Sequence, residues 1–341
     1  MAKKSSKPKS KKNTATKRST RADKQGVVRS KETKQSCTND FSVSFGEIVE
    51  SLIAALKSSK SATKKSELEL LLNKIQALWN YTPTIAVFGQ TGAGKSTFCN
   101  ALFGSKVCEI SAVQACTSKE QRVKVGLGKN EITIIDMPGV GESREADERF
   151  SSLYEEVLKE ADLLLWLVKA DSRAYASDKH TWGLLKSALA AKGIPYLFVL
   201  TQADKIDPSE EWNFEKNEPS AEQMGTLLQK RKVVCTEFGL ATADVVFAAP
   251  KRAYHLKEVV LRMVTLLPDE KKSAVLKFAT PETQSDDAQK VASEGFWKTV
   301  WEFAKEKAAS VVSWVKDNPD ASMKIGEAAW NILKRVIRKG K

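Results

Sequence analysis

Histidine is nearly absent from this chain: among 341 residues only His180 and His255 carry an imidazole. A histidine-built zinc site is thereby excluded, and both residues fall in segments that read as helices, where structural roles prevail. Cysteine is sparse as well. Cys37, Cys99, Cys108, Cys116 and Cys235 are odd in number and never spaced C-x-x-C, so neither a disulfide framework nor a zinc ribbon is expected. Long apolar runs are missing; the longest, residues 163–168, has six residues, far below the roughly 20 that cross a bilayer as a helix. No apolar segment follows the lysine-rich N-terminus, so no secretory leader is expected. Reduced thiols and a cytoplasmic location follow as expectations, with peripheral membrane contact as the alternative.

Net charge is nearly missing from most of the chain. Residues 1–36 hold thirteen Lys/Arg against Asp23 and Glu32, a net of +11, so only +2 of the total +13 belongs to the other 305 residues. That stretch also lacks any aromatic residue and cannot bury enough apolar surface to order itself. Residues 1–40 therefore read as a disordered basic tail. Clustered Lys/Arg condense onto any polyanion, so RNA, a ribosome and anionic lipid are all candidate partners, beside a merely solubilising role.

What is present begins with 42% apolar residues, enough for at least one sizeable core. Residues 41–82 read as a helical segment, with apolar positions at three- and four-residue steps over 45–56 and 64–81. From residue 83 to 268 strands and helices alternate. Strands are expected at 85–88, 122–125, 132–135, 163–168, 196–200 and 245–248, and helices near 95–103, 145–159, 178–191, 221–238 and 256–266. Consecutive Val, Ile and Leu in the strands imply burial on both faces, hence an α/β fold with a mostly parallel six-stranded sheet. Residues 205–219 read as an irregular surface loop, and 269–294 as a polar linker. Residues 295–341 read as two amphipathic helices broken at Asn318-Pro319. Their stripe includes Trp297 and Trp301, and Lys334, Arg335, Arg338, Lys339 and Lys341 crowd the end. Such helices suit packing on the chain's own core, a partner groove or a membrane surface.

The chemistry lies in four short segments. Gly89-Gln90-Thr91-Gly92-Ala93-Gly94-Lys95-Ser96 follows an expected strand and opens, through Thr97, into an expected helix. Glycines let the backbone wrap a polyphosphate with its N–H groups pointing inward at a helix N-terminus. Lys95 then reaches the β- and γ-phosphates, and the Ser96 hydroxyl ligates Mg²⁺. Forty-one residues after Lys95, a buried strand ends in Asp136-Met137-Pro138-Gly139. Asp136 there supports the Mg²⁺ shell, and the Gly139 amide senses the γ-phosphate. Thr117, in the loop 112–118, is the candidate for Mg²⁺ through its hydroxyl and the γ-phosphate through its amide. Thr201-Gln202-Ala203-Asp204 ends the strand 196–200. The Asp204 carboxylate can accept two hydrogen bonds from guanine N1–H and the exocyclic amine, a pair that adenine cannot supply. Ala248, in Phe247-Ala248-Ala249-Pro250, is expected to offer an amide to guanine O6.

With these residues in order, GQTGAGKS, ACT, DMPG and TQAD, the chain resembles the Era-like GTPases of the translation-factor-related class. Within them it looks like the prophage-associated YfjP-like branch, described as 50S-ribosome-binding-type GTPases. The resemblance covers roughly residues 83–268. It implies a P-loop fold, GTP and GDP as ligands, Mg²⁺ as cofactor, and slow switching hydrolysis in which Lys95, Thr117 and Gly139 act on the phosphates. The GQTGAGKS loop also resembles those of septin- and immunity-related GTPases, which keeps open a membrane-associated or self-assembling GTPase, including a nucleotide-dependent homodimer. An ATPase or kinase would require Asp204 to be incidental.

Three positions depart from the pattern. Gln202 stands where Lys is common. Val140 stands where many GTPases place a water-orienting Gln, and its side chain cannot hold water. Gly92 stands where some relatives carry a potassium-associated Asn, so slow turnover without potassium stimulation is expected.

Overall fold

The computed structural model describes residues 49–50, 53–54, 65–104, 121–127, 130–136 and 151–307. The basic tail, the loop carrying Thr117, the segment carrying Gly139 and Val140, and residues 308–341 lie outside them. Six strands form one sheet: β1 (Thr84–Phe88), β2 (Gln121–Leu127), β3 (Asn130–Asp136), β4 (Leu163–Lys169), β5 (Tyr196–Thr201) and β6 (Val245–Phe247). Their order is β2-β3-β1-β4-β5-β6. All neighbours run parallel except β2 and β3, which pair antiparallel from Gln121↔Asp136 to Leu127↔Asn130. Eight helices flank it among the described residues: α1 (Lys65–Trp79), α2 (Lys95–Phe103), α3 (Ser151–Glu160), α4 (Ala176–Lys192), α5 (Ala221–Phe238), α6 (Leu256–Leu266), α7 (Asp269–Phe278) and α8 (Asp286–Lys307).

The strand side chains alternate between two buried layers, as a pleat with period two demands. Ile85, Val87, Leu165, Leu167, Leu197 and Val199 pack with α2, α6, α7 and α8 on one face. On the other, Phe88, Trp166 and Phe198 stand side by side on β1, β4 and β5. They stack 5.5 and 5.7 Å apart, and Trp182 of α4 meets Trp166 and Phe198 edge-on at 5.7 and 4.9 Å. The Trp166 indole N–H donates to the buried Asp178 carboxylate at 2.9 Å, so this large residue carries no unsatisfied polar atom into the core. α5 begins with a reciprocal cap: Ser220 Oγ accepts from the Gln223 amide while Gln223 Oε1 accepts from the Ser220 amide, each at 3.1 Å.

Residues 269–294, expected as a polar linker, are instead α7, a short turn at Pro281–Thr283 and the first part of α8. Charged residues dominate the average there, but Ala274, Val275 and Phe278, then Ala288, Ala292 and Phe296, are buried in a helical stripe. Alanines give little hydropathic signal yet permit close packing. Gly295, expected to open a new segment, lies inside α8; a Cβ there would sit 3.0 Å from the Asp269 carbonyl oxygen and 2.9 Å from Lys272 Cδ. The described part of the C-terminal segment, up to residue 307, packs on the chain's own helices. Trp79 of α1 meets Phe296 edge-on at 6.5 Å, and the Lys74 ammonium lies 5.9 Å over Phe303.

One buried carboxylate pins this flank to the sheet. Asp162, just before β4, accepts from Tyr81 Oη at 2.6 Å, from Lys271 Nζ at 2.7 Å and from the Thr84 amide at 2.8 Å. Burial and this carboxylate push the Tyr81 phenol well above its ordinary range. The loop 205–219 is not wholly surface either: Ile206 and Trp212 are buried, and Asn213 bridges Glu218. His255 precedes α6 rather than lying on it, in a left-handed conformation, with its ring stacked 4.1 Å from that of Tyr254.

Candidate functional site

The loop 89–94 leaves the C-terminal end of β1 and enters α2 at Lys95. Gly89 is required by contact as well as by conformation: its φ is 142°, and a Cβ would meet the Leu167 carbonyl oxygen at 2.3 Å. Gly92 and Gly94 take φ of 80° and 87°, and Gly94 is the N-cap of α2. These left-handed residues curl the backbone so that the positive end of α2 faces the loop's hollow. Lys95 arches back over it, its Nζ donating to the carbonyls of Gly89 at 3.0 Å and Gln90 at 3.5 Å. Ser96 and Thr97 follow, half-buried, in the first turn, while Thr91 is exposed. Gln90 Nε2 donates to the Ala174 carbonyl at 3.4 Å, tying the loop to the β4–α4 connection.

Asp136 ends β3, in register with Val87 of the adjacent β1, so the strand end lies beside the root of the phosphate loop. Ser96 and Asp136 carry oxygen groups of the type that a hard divalent cation takes. Thr117 and Gly139 lie outside the described residues.

The far end of the site hangs on β5. Thr201, 1% exposed, donates through Oγ1 to the Ala93 carbonyl at 2.7 Å and more weakly to that of Val168 at 3.4 Å. Gln202 has a φ of 57°, and its Nε2 donates to the Gly92 carbonyl at 3.1 Å. Its Oε1 accepts from Lys205 Nζ at 2.9 Å. The Gln at the usual lysine position therefore reaches the phosphate loop, and an ammonium stands three residues further on. Asp204 follows, with Oδ2 accepting from Arg252 Nε at 3.1 Å.

Ala248 does not take its expected role. Its amide donates to the Leu200 carbonyl at 2.9 Å and its carbonyl accepts from the Ala203 amide at 3.1 Å. Ala248 is fully buried as a continuation of the β5–β6 ladder, and the Ala249 amide is engaged by Tyr254 at 3.2 Å. A guanine O6 has to find another donor.

Two residues escaped the sequence reading. Arg252 reaches Asp204 across 48 positions of chain, a distance no local pattern signals. Lys169 ends β4 in register with Thr201, its Nζ 3.5 Å from the point a Gly92 Cβ would occupy. A lysine ending a run of apolar residues reads as a solvated strand terminus until its neighbour is known. A separate cavity of about 380 Å³ opens between the β4–α4 connection and α5, lined among others by Asp171, Arg173, Asp207 and Lys230. Burial lowers the Lys230 pKa there.

The family profile described as 50S ribosome-binding GTPase matches residues 84–202. Two uncharacterized proteins of Escherichia coli (strain K12) are similar over most of the chain. YfjP is 36% identical over 235 residues, 68% of this chain and 78% of its own length. The chain belongs to the YfjP-like P-loop GTPases. YkfA is 34% identical over 237 residues, with the same two coverages. Among solved structures, Era from Aquifex aeolicus bound to GDP·AlF4⁻ is 21% identical, covers 55% of this chain and 57% of its own, and superposes with a TM-score of 0.40, too loose a likeness to argue from.

Membership in the YfjP-like GTPases gives the reaction class, hydrolysis of GTP to GDP and phosphate, and a switch-type GTP-binding protein. Thr201 and Gln202 bond directly to the carbonyls of Ala93 and Gly92, so the end of β5 and the glycine loop form one hydrogen-bonded unit.

Proposed function

We propose that this GTPase is a slow, Mg²⁺-dependent molecular switch in which the loop 89–96 holds the phosphates and Asp204 selects guanine. The observation that carries the reading is the Lys95 ammonium folded onto the Gly89 and Gln90 carbonyls at the head of α2. A polyphosphate gives that ammonium charged acceptors, and charge-assisted hydrogen bonds are roughly twice as strong as neutral ones. Ser96, Asp136 and Thr117 would hold the Mg²⁺, which neutralises phosphate charge when bound. Lys95 orients the β- and γ-phosphates, the loop amides stabilise their oxygens, and Gly139 reports the γ-phosphate. Val140 lacks a side-chain amide to orient water, which supports slow turnover.

Calorimetric titration with GTP, GDP and ATP, with and without Mg²⁺, tests this reading. Tight Mg²⁺-dependent GTP and GDP binding with weak ATP binding is the expected outcome; equal affinity for ATP and GTP would overturn guanine selection. Replacing sodium by potassium should leave the steady-state GTPase rate unchanged, because Gly92 offers no side-chain ligand. A rate increase in potassium would sink that expectation.

The proposal extends to a cytoplasmic protein whose basic residues 1–40 and C-terminal residues 295–341 contact ribosomal RNA or an anionic membrane. The charge of the tail supports this part of the reading. Co-sedimentation with ribosomes and with anionic vesicles, each with GTP and with GDP, distinguishes the two partners. Pelleting with neither would remove both.

A further inference from the structure

We propose that Arg252 is a positioning residue for guanine recognition: it fixes the Asp204 carboxylate in the orientation the base requires. The inference rests on the reading of Asp204 as the guanine partner. A carboxylate has about four lone-pair directions on its two oxygens, and guanine's N1–H and exocyclic amine fill two of them. Arg252 approaches with one N–H only, Nε to Oδ2 at 3.1 Å. Such a contact holds the carboxylate in rotation while leaving Oδ1 and one side of Oδ2 for the base. A two-point guanidinium fork would have occupied both oxygens.

The arginine is itself held. Its guanidinium lies 4.6 Å over the ring of Phe214 and 6.0 Å from that of Trp212, and its carbonyl accepts from Asn217 Nδ2 at 2.8 Å. Trp212 is buried edge-on against Tyr254 at 5.1 Å. The excursion between β5 and α5 therefore braces Arg252, and through it Asp204, from outside the four short motifs read in the sequence. Because the Ala248 and Ala249 amides are engaged elsewhere, recognition of the base edge leans on the geometry of this one carboxylate. Pre-organisation of a binding group of this kind raises affinity by removing the ordering penalty at binding.

The test compares GDP with inosine diphosphate, which lacks the exocyclic amine, on the full chain. Wild type should prefer GDP. Arg252→Ala should lower GDP affinity about fivefold and the GDP-over-inosine ratio by nearly the same factor, with inosine diphosphate binding little changed. Phe214→Ala, at a ring 65% exposed, should give an intermediate fall in the ratio and supplies the test if Arg252→Ala does not fold. Equal losses for both nucleotides would make Arg252 merely structural, and tighter GDP binding would make it a competitor of the base. Either outcome overturns the proposal. Asp204→Ala is the control that separates failures: an unchanged ratio there means that Asp204 does not read guanine, and the inference falls with that reading.

Discussion

The two ends of the proposed nucleotide site are built in different ways. At the phosphate end the binding groups are backbone amides, a helix terminus and one lysine, all within residues 89–97, with glycines supplying φ of 142°, 80° and 87°. At the proposed base end the groups are side chains from separate segments: Asp204 after β5, Arg252 after β6, and Phe214 and Asn217 from the excursion between β5 and α5. A polyphosphate presents the same charge whatever base it carries, so a locally encoded cradle suffices for it. Telling one purine from another needs donors and acceptors fixed in direction, and only a folded frame fixes them. The two ends meet at Thr201 and Gln202, whose hydrogen bonds to Ala93 and Gly92 make the frame and the cradle one piece.

The comparison breaks most completely at Gly89. Gly89→Ala would press a methyl group to 2.3 Å from the Leu167 carbonyl oxygen, a contact that only backbone movement relieves. Binding of GTP and ATP should fall together by on the order of a hundredfold or more, as when a preorganised donor set is lost; calorimetry showing wild-type affinity for either would contradict a backbone-built cradle. Asp204→Ala attacks the other end alone. Two charge-assisted hydrogen bonds are lost, so the GTP-over-ATP ratio should drop roughly a hundredfold while ATP affinity stays within about twofold. A proportional loss of ATP binding would show that the ends are not separable.

Thr201→Val removes one of the junction's two ties without changing shape. The Ala93 carbonyl loses its partner, which costs about 1 kcal/mol, or about fivefold in affinity for both nucleotides alike. An effect confined to guanine nucleotides would mean that the cradle does not depend on this tie. The smallest effect lies outside the site and serves as its contrast. Lys277 donates to the Trp79 carbonyl at 2.7 Å, and burial lowers its pKa from 10.5 to about 8. Above pH 8 the folded chain releases this proton while the unfolded chain keeps it until about 10.5, so Lys277 should make stability rise across that window. Comparing denaturant midpoints at pH 7.5 and 9.5 in wild type and Lys277→Met checks it; the same pH difference in both would assign the effect elsewhere.

Much of this was legible in the chain because the signals are local. Five of the six strands carry their own apolar run, β2 being the exception with its alternating Val123 and Val125, and α5 is marked at its start by the Ser220–Gln223 cap and at its end by Gly239. The glycine loop is contiguous, so its anion-binding character needs no tertiary information. The helices in 269–294 were hidden because small alanines and charged neighbours mask a buried stripe whose partners lie on α1 and α6. Ala248 was misread for a related reason. An amide's availability depends on whether the sheet continues past the last strand, and here Leu200 claims it. Lys169 and Arg252 had no signal at all, since a basic residue at a strand end or turn looks the same whether it faces solvent or a binding site.

By itself the sequence determined the layered α/β plan, the place of the phosphate loop and the candidate guanine reader, because helix, strand and glycine-turn preferences act over a few neighbouring residues. Only the tertiary structure decided which amides remain for a ligand, which cation stands beside which loop, and what holds Asp204 in place. Those depend on contacts between segments as far apart as Ala93 and Thr201 or Asp204 and Arg252, and such contacts exist only once the sheet has brought its strand ends together.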